Sequence, residues 1–342
     1  MEILSIVPVE RAINMALGRP QEKQSPSVNL LEKPTVYLLD KFHPDVIEYC
    51  KNNFNAILPG TPEHVDWRQK ARYLLMRSSS LTAEDVESCP NLLAIGKQGV
   101  GIDKIDAAAC AARGIKIFNT PGVNAGAVAE IVLCLTMAVA REVGRIAVKQ
   151  VQGELVPKET CSGLLLTGKT IGVIGMGNIG KTVAQMFRGA FNANVVAYDP
   201  FLPADAWSDL THTRASTVDE ILKASDVVTI HVPLTKDTRD MISYPQFQIM
   251  KRNAILVNAS RGGIVNESDL ETALRERLIF GAGLDCHQQE PPSKEKYSRL
   301  WELGVVSTPH VGAATEQTQV ETGVTAAKFL LEYIQSQENV RP

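Results

Sequence analysis

From Thr35 onward, short apolar runs alternate with longer amphipathic stretches. Thr35–Asp40, Tyr73–Met76, Leu92–Ile95 and Ile115–Phe118 are short, apolar and bounded by polar or turn-forming residues, so they predict strands. Pro44–Lys51, between the first two, predicts a helix. A second series follows at Thr170–Ile174, Val195–Tyr198, Asp226–Val232, Ala254–Asn258, Gly281–Leu284 and Val305–Thr308. Alternation of this kind predicts parallel sheets with helices on both faces. The expected class is therefore α/β, with two Rossmann-like, doubly wound parallel-sheet domains and a cleft between them. Ligands of such sheets bind beyond the carboxyl ends of the strands. Arg77, Lys97 and the turn Gly99–Gly101 each follow a strand end in this reading, so they should share one crevice.

Between the two series, Asn124 is placed as the cap of a long apolar helix from Ala125 to about Val143. That stretch is more hydrophobic than one buried face requires, which leaves a core helix and a subunit interface both open. Pro157–Gly168 reads as a loop, and Ser268-Asp269-Leu270-Glu271 has the spacing of a capping box. The tail Thr315–Ser336 has helical periodicity and is expected to return to the first unit. The expected division is an N-terminal extension (1–33), a first unit of 34–124 plus 316–342, and a second unit of 125–315. In the extension, Gln21–Ser27 is polar and proline-bearing and reads as a connector; what precedes it is open between a packed amphipathic segment and disorder.

Composition narrows the class. At 342 residues, two domains are the natural prior, and 44% hydrophobic residues with a net charge of −3 describe an ordinary globular protein. That charge gives no electrostatic reason to expect a nucleic acid or an acidic membrane as partner. The six cysteines are scattered without a CxxC pair, as in a reduced cytoplasmic protein. The first residues, MEILSIVPVERAINM, lack the basic start and apolar core of a secretory signal. The longest apolar stretch, Ile131–Ala140, is too short to span a bilayer.

The chemistry begins at Gly175-Met176-Gly177-Asn178-Ile179-Gly180, between a predicted strand and a predicted helix. Gly175 permits the turn, Gly177 leaves room for a pyrophosphate, and Gly180 lets helix and strand pack closely. The phosphates would meet the free N–H groups at the helix start. Asp199 ends the next strand, where a carboxylate accepts both ribose hydroxyls and repels a 2′-phosphate. Neither Pro200 nor Phe201 offers a compensating cation, so NAD (NADH) is expected rather than NADP.

Arg261, Glu290 and His310 lie at or just beyond strand ends in this second series. A guanidinium binds a carboxylate bidentately and polarises a carbonyl. An imidazole exchanges a proton with a nascent alkoxide. A carboxylate behind the imidazole favours its charged form and fixes its tautomer. A hydroxy-acid dehydrogenase needs such a set, and no metal. Each residue alone also has an ordinary structural role open to it: a turn contact for Arg261, a solvated loop acid for Glu290, a strand cap for His310.

GMGNIG with Asp199, HVPLTKDT (His231–Thr238), NASRGGIVNE (Asn258–Glu267), GAGLDCHQQEPP (Gly281–Pro292) and TPHVGAAT (Thr308–Thr315) together resemble the successive signatures of the D-isomer-specific 2-hydroxyacid dehydrogenases. The resemblance runs from about Thr35 to the C-terminus. It implies catalytic roles for Arg261, Glu290 and His310, with Glu290 raising the pKa of the histidine. It implies pyrophosphate contacts at Asn178 and Ile179 and ribose contact at Asp199. Val232, Ala259 and Gly312 would line the nicotinamide, Asp285 would meet its carboxamide, and the backbone of Val100 and Gly101 would take the substrate carboxylate. It also implies a flavodoxin-like substrate domain and a homodimer.

The phosphoglycerate dehydrogenase branch is the most similar. KQGVGIDKID resembles its carboxylate-binding loop, and MRSSS resembles a strand end bearing a phosphate-contacting arginine, which places Arg77 at that position. That branch usually has a second arginine where Lys97 stands here, so the distal group read at this point differs or the two cations only set up a positive field. Cys286 and His287 depart from the usual apolar–aromatic pair, with His287 expected as a loop residue. Longer members append regulatory domains, and with the sequence ending at Pro342 no feedback by an amino acid is expected. Two other readings keep the same residues: a glyoxylate or hydroxypyruvate reductase, and an NAD-sensing interaction protein resembling the C-terminal-binding-protein corepressors.

Overall fold

The computed structural model describes residues 33–338, so the expectations for the N-terminal extension and the last residues lie outside the described residues. Two parallel sheets carry the fold. The first has strands β1 (Thr35–Leu38), β2 (Asn55–Ile57), β3 (Tyr73–Met76), β4 (Ala94–Lys97) and β5 (Lys116–Phe118), in the order β2-β1-β3-β4-β5. The second has β6 (Thr170–Ile174), β7 (Asn194–Tyr198), β8 (Thr213–Arg214), β9 (Val227–Ile230), β10 (Ile255–Asn258), β11 (Gly281–Leu284) and β12 (Val306–Ser307). Its order is β12-β11-β10-β9-β6-β7-β8, the doubly wound arrangement with its reversal between β6 and β9.

The apolar runs follow from burial on both faces. In the first sheet, Val36, Leu38 and Leu75 point to one core, shared with Val46, Cys50, Ala326, Leu330 and Ile334. Tyr37, Leu74 and Met76 point to the other, with Leu81, Val86 and Cys110. Helix Glu316–Glu338 thus closes the first sheet, although it follows the last strand of the second. In the second sheet, Ile174, Val228, Ile230 and Leu256 face one core and Ile171, Val173, Val227 and Val257 the other.

Several boundaries differ from the sequence reading. Leu92 and Leu93 precede the strand, and β4 begins at Ala94, so Lys97 is the last strand residue rather than one beyond it. The apolar helix ends at Ala140, and a separate helix, Val143–Val151, follows a left-handed residue at Glu142. Asn124 stands at the start of the apolar helix but makes no side-chain cap bond. Ser268–Glu271 is not a capping box: helix Glu267–Arg275 is capped by Asn266, whose Oδ1 accepts from Asp269 N at 3.0 Å. Short pieces such as β2 and β8 carry too few apolar residues to show a period.

Helix Ala125–Ala140 packs on the second sheet, burying Val128, Ala129, Val132, Leu135, Thr136, Val139 and Ala140. It is a core helix on that face. Among the described residues, no helix is long and apolar enough to cross a membrane.

Candidate active site

The glycine turn after β6 has the shape its sequence demands. Gly175 sits at φ +97°, and an added Cβ would collide with the His231 carbonyl at the end of β9. A Cβ on Gly180 would overlap the Gly175 carbonyl, so helix Asn178–Phe191 approaches the strand only because this position is bare. Space above Gly177 is open, and the helix start has no side-chain cap. Its first N–H groups, at Asn178, Ile179 and Gly180, are therefore available to an anion. The buried Trp207 indole locks the turn by donating to Met176 O at 2.7 Å.

Asp199 follows β7 and accepts from Met176 N and Phe201 N, both at 2.9 Å. The sequence reading missed a cation here. The Arg214 guanidinium donates to the backbone carbonyls of Asp199, Leu202 and Pro203. It is spent on holding the loop, and it sits on β8, a strand too short to read from sequence. An open cradle, an uncapped helix start and a carboxylate at the next strand end fit a dinucleotide.

At the far edge of the same sheet, β11 and β12 present Asp285 and His310. Asp285 is 1% exposed. Its Oδ1 accepts from Thr308 Oγ1 at 2.6 Å and Val311 N at 2.8 Å, and its Oδ2 from Gly312 N at 2.8 Å. Its carbonyl accepts from His310 N at 2.7 Å. These bonds hold His310 at φ +59°, a conformation that costs a non-glycine residue about 1–3 kcal/mol. Gly312 is buried beside Ile131 and Val128 of the apolar helix.

His310 Nδ1 lies 2.9 Å and 3.1 Å from the two oxygens of Glu290. Both side chains stay reachable, at 41% and 35% exposed. Partial burial pushes the Glu290 carboxyl up, but the hydrogen bond and charge of His310, with the His287 N–H at 3.1 Å, outweigh it and hold Glu290 below its ordinary range. The carboxylate thus stays ionised at neutral pH. The loop bearing it is anchored by Glu267, a nearly buried carboxylate that accepts from Gln288 N at 2.7 Å and from Tyr297 Oη at 3.1 Å. Tyr297 Oη accepts from Gln289 N at 3.0 Å. His287 is a loop residue with a buried side chain: it is 3% exposed, stacks edge-on against Tyr297, and burial pushes its pKa down. His231 behaves similarly at the end of β9: burial pushes it down to about 3, and its ring nitrogens have no partner among the described residues.

Arg261 follows β10, behind Ala259, and it joins the two sheets. Its Nε donates to Asp103 Oδ2 at 2.7 Å, and a Cβ on Gly101 would overlap its guanidinium. The loop Val100–Gly101 from the first sheet therefore lies against Arg261 of the second. Asn119 Nδ2 pins that loop through Val100 O at 2.6 Å. On the other side, Cys286 Sγ donates to Ser260 O at 3.2 Å and lies within 4.8 Å of ligand-capable atoms of Glu290 and His310. Arg261, the loop 100–101 and the His310–Glu290 pair thus share one neighbourhood. The Asp103 contact was not legible, since it joins positions far apart in the chain.

Arg77 and Lys97 meet each other, but through the backbone. Lys97 is 7% exposed, and its Nζ donates to Arg77 O at 2.6 Å and Gln98 O at 2.7 Å. The loop after β3 wraps Asp40, whose carboxylate accepts from Arg77 N, Ser78 N and Ser79 N. Burial pushes Lys97 down to about 8.

Residues 133–312 match the model of the D-isomer specific 2-hydroxyacid dehydrogenase, NAD binding domain. The chain belongs to this family. It is 37% identical over 273 residues to D-3-phosphoglycerate dehydrogenase of Methanocaldococcus jannaschii, covering 79% of this chain and 51% of that protein. It is 39% identical over 253 residues to hydroxypyruvate reductase of Thermotoga maritima, covering 73% and 81%. The chain spans about half the length of the phosphoglycerate dehydrogenases it matches. D-lactate dehydrogenase of Aquifex aeolicus, solved with NAD and lactic acid, superposes with a TM-score of 0.76 at 25% identity, covering 89% of this chain and 96% of that one. The NAD binding domain of the family is thus the unit that carries the glycine turn and Asp199 here.

Proposed function

We propose that this protein is an NAD-dependent oxidoreductase interconverting a small D-2-hydroxy acid and its 2-oxo acid. The observation that carries it is Arg261 lying on the Val100–Gly101 loop while His310 and Glu290 pair beside Cys286, which bonds the Ser260 carbonyl next to Arg261. Residues 125–315 form the dinucleotide unit in this reading, and 34–124 with 316–342 the substrate unit. Asn178, Ile179 and Gly180 hold the pyrophosphate, Asp199 the ribose, and Val232, Ala259, Asp285 and Gly312 the nicotinamide side. Asp285 Oδ2 has one backbone donor among the described residues and capacity for a carboxamide N–H. When bound, the nicotinamide supplies or accepts the hydride.

The chain's own residues do the rest. The N–H groups of Val100 and Gly101 take the substrate carboxylate. Arg261, turned by its Nε bond to Asp103 and its Nη1 bond to Ser260 O at 2.6 Å, offers its remaining N–H groups to the carboxylate and the C2 oxygen. His310 gives a proton to that oxygen in reduction and removes it in oxidation. Glu290, kept ionised by the partners named above, steadies the imidazolium and sets its orientation. Initial rates of NADH oxidation across a panel of 2-oxo acids test the reading. Turnover giving the D-isomer is the expected result, and the corepressor-like reading predicts cofactor binding with negligible turnover.

The finer substrate reading is an acid with a second anion, such as a phosphate or phosphonate, drawn by Arg77 and Lys97. The phosphoglycerate dehydrogenase and hydroxypyruvate reductase similarities are of comparable strength, so the smaller 2-oxo acids are the alternative. If Lys97 supplies charge, kcat/KM for a phosphorylated acid should exceed that for a neutral-tailed one by about tenfold. Because burial lowers its pKa, Lys97 loses its proton as pH rises through about 8, so the preference should fade above that pH. Lys97→Arg should keep the preference at high pH. Equal kcat/KM for both acids at pH 7 would remove the idea.

Asp199→Asn should lower kcat/KM for NADH relative to NADPH by about tenfold or more, since it removes a charged acceptor and its repulsion of a 2′-phosphate. An unchanged ratio would dissociate Asp199 from cofactor choice.

A homodimer in the cytoplasm completes the proposal. Helix Val143–Val151 buries none of its residues, and Val143, Val148, Val151 and Leu155 stand in solvent. Such an apolar face fits a second copy of the chain. Light scattering at micromolar concentration should give twice the chain mass, whereas a monomeric mass would overturn the dimer.

A further inference from the structure

Cys286 is the side chain beside the His310–Glu290 pair for which the proposed reaction has no use. It is 1% exposed, at the end of β11. Its Sγ, a carboxylate oxygen of Glu290 and a ring nitrogen of His310 all lie within 4.8 Å of one another. Sulfur, imidazole nitrogen and carboxylate oxygen are together the donor set of zinc, and thiolate biases the choice toward soft cations over magnesium or calcium. In a tetrahedral zinc shell, bond lengths of about 2.0–2.3 Å put neighbouring ligand atoms about 3.3–3.6 Å apart. Glu290 and His310 already stand close to that spacing, at 2.9 Å between Oε2 and Nδ1. A small rotation of Cys286, away from its weak bond to Ser260 O, completes the triangle. Glu290 and His310 are both partly exposed, so a cation from solvent can reach them.

We propose that Cys286, Glu290 and His310 form a three-ligand site for Zn²⁺, and that its occupancy switches the enzyme off. The imidazole lone pair and the carboxylate bind the cation. The Cys286 thiol loses its proton to solvent as the sulfur–zinc bond forms, and no group is oxidised or reduced. With zinc on Nδ1, the ring keeps its Nε2 proton and can no longer cycle between imidazole and imidazolium, so it no longer moves a proton at the substrate oxygen. The inhibition rests on the acid–base reading of His310, while the metal site rests only on the three ligands.

Cobalt(II) separates the two. Titration of chelator-treated protein with Co²⁺ should give a near-ultraviolet thiolate-to-cobalt band that saturates at one equivalent and is displaced by Zn²⁺. In Cys286→Ala that band should be missing, leaving only what the more accessible Cys134 and Cys161 contribute in both proteins. In parallel, Zn²⁺ should inhibit NADH oxidation by the unmodified protein, reversibly by chelator, and Cys286→Ala should require at least about tenfold more Zn²⁺. A band unchanged by Cys286→Ala, or equal zinc inhibition of both proteins, overturns the site. A Cys286-dependent band with no inhibition keeps the metal site and overturns the switch, and with it the acid–base role of His310.

Discussion

His310→Ala is expected to lower kcat by about 10²–10⁴-fold, the usual contribution of a positioned acid–base group. NADH binding, read from nicotinamide fluorescence, should be unchanged, because the glycine turn and Asp199 lie on β6 and β7, across the sheet from β12. His310 stands partly exposed at a strand end, with one ring nitrogen turned to an ionised carboxylate and the other left for substrate. Removing the imidazole deletes the proton donor but leaves Arg261 and the carboxylate-binding loop in place. The loss should therefore fall on kcat more than on KM. A variant with undiminished turnover would end the proposed mechanism.

Asp285→Asn should destabilise the fold by about 2–4 kcal/mol and lower turnover as well. The change is isosteric, so no cavity opens. What changes is hydrogen-bond sense. The carboxylate accepts from Thr308 Oγ1, Val311 N and Gly312 N in a fully buried position. An amide turns one acceptor oxygen into a donor, which then faces an N–H or the hydroxyl. Each bond lost to a charged acceptor, with its partner left buried, costs about 1.5–3 kcal/mol. The same bonds keep His310 in its left-handed conformation, so releasing them lets the imidazole swing away from Glu290. A denaturant midpoint equal to that of the unmodified protein would show that Asp285 does not hold this loop.

The sheet strands were legible because both faces are buried. Runs such as Tyr73–Met76, Thr170–Ile174 and Gly281–Leu284 therefore have few polar residues, and their ends coincide with the pattern. Edge strands β2 and β8 were not, since so few residues carry no period. Motif spacing put His310 and Glu290 in the loops that follow β12 and β11, and the structure pairs them at 2.9 Å. The spacing could not reveal the partners that orient them. Glu267 anchors the Glu290 loop across 21 residues through Gln288 and binds Tyr297 across 30, and Asp103 meets Arg261 over a separation of 158. Lys97 shows the cost of a small slip. As the last residue of β4 rather than one beyond it, it has a buried side chain, and its Nζ is tied to two carbonyls.

The central claim is that one substrate is held from both sheets at once, with its C2 oxygen at His310. A crystal structure with NADH and the substrate analogue oxamate tests it most directly. The account predicts the oxamate carboxylate on the Val100–Gly101 backbone and Arg261, and its carbonyl oxygen within hydrogen-bond distance of the free His310 nitrogen. Oxamate or the nicotinamide ring bound away from His310, with Arg261 still committed only to Asp103 and the Ser260 carbonyl, would contradict it.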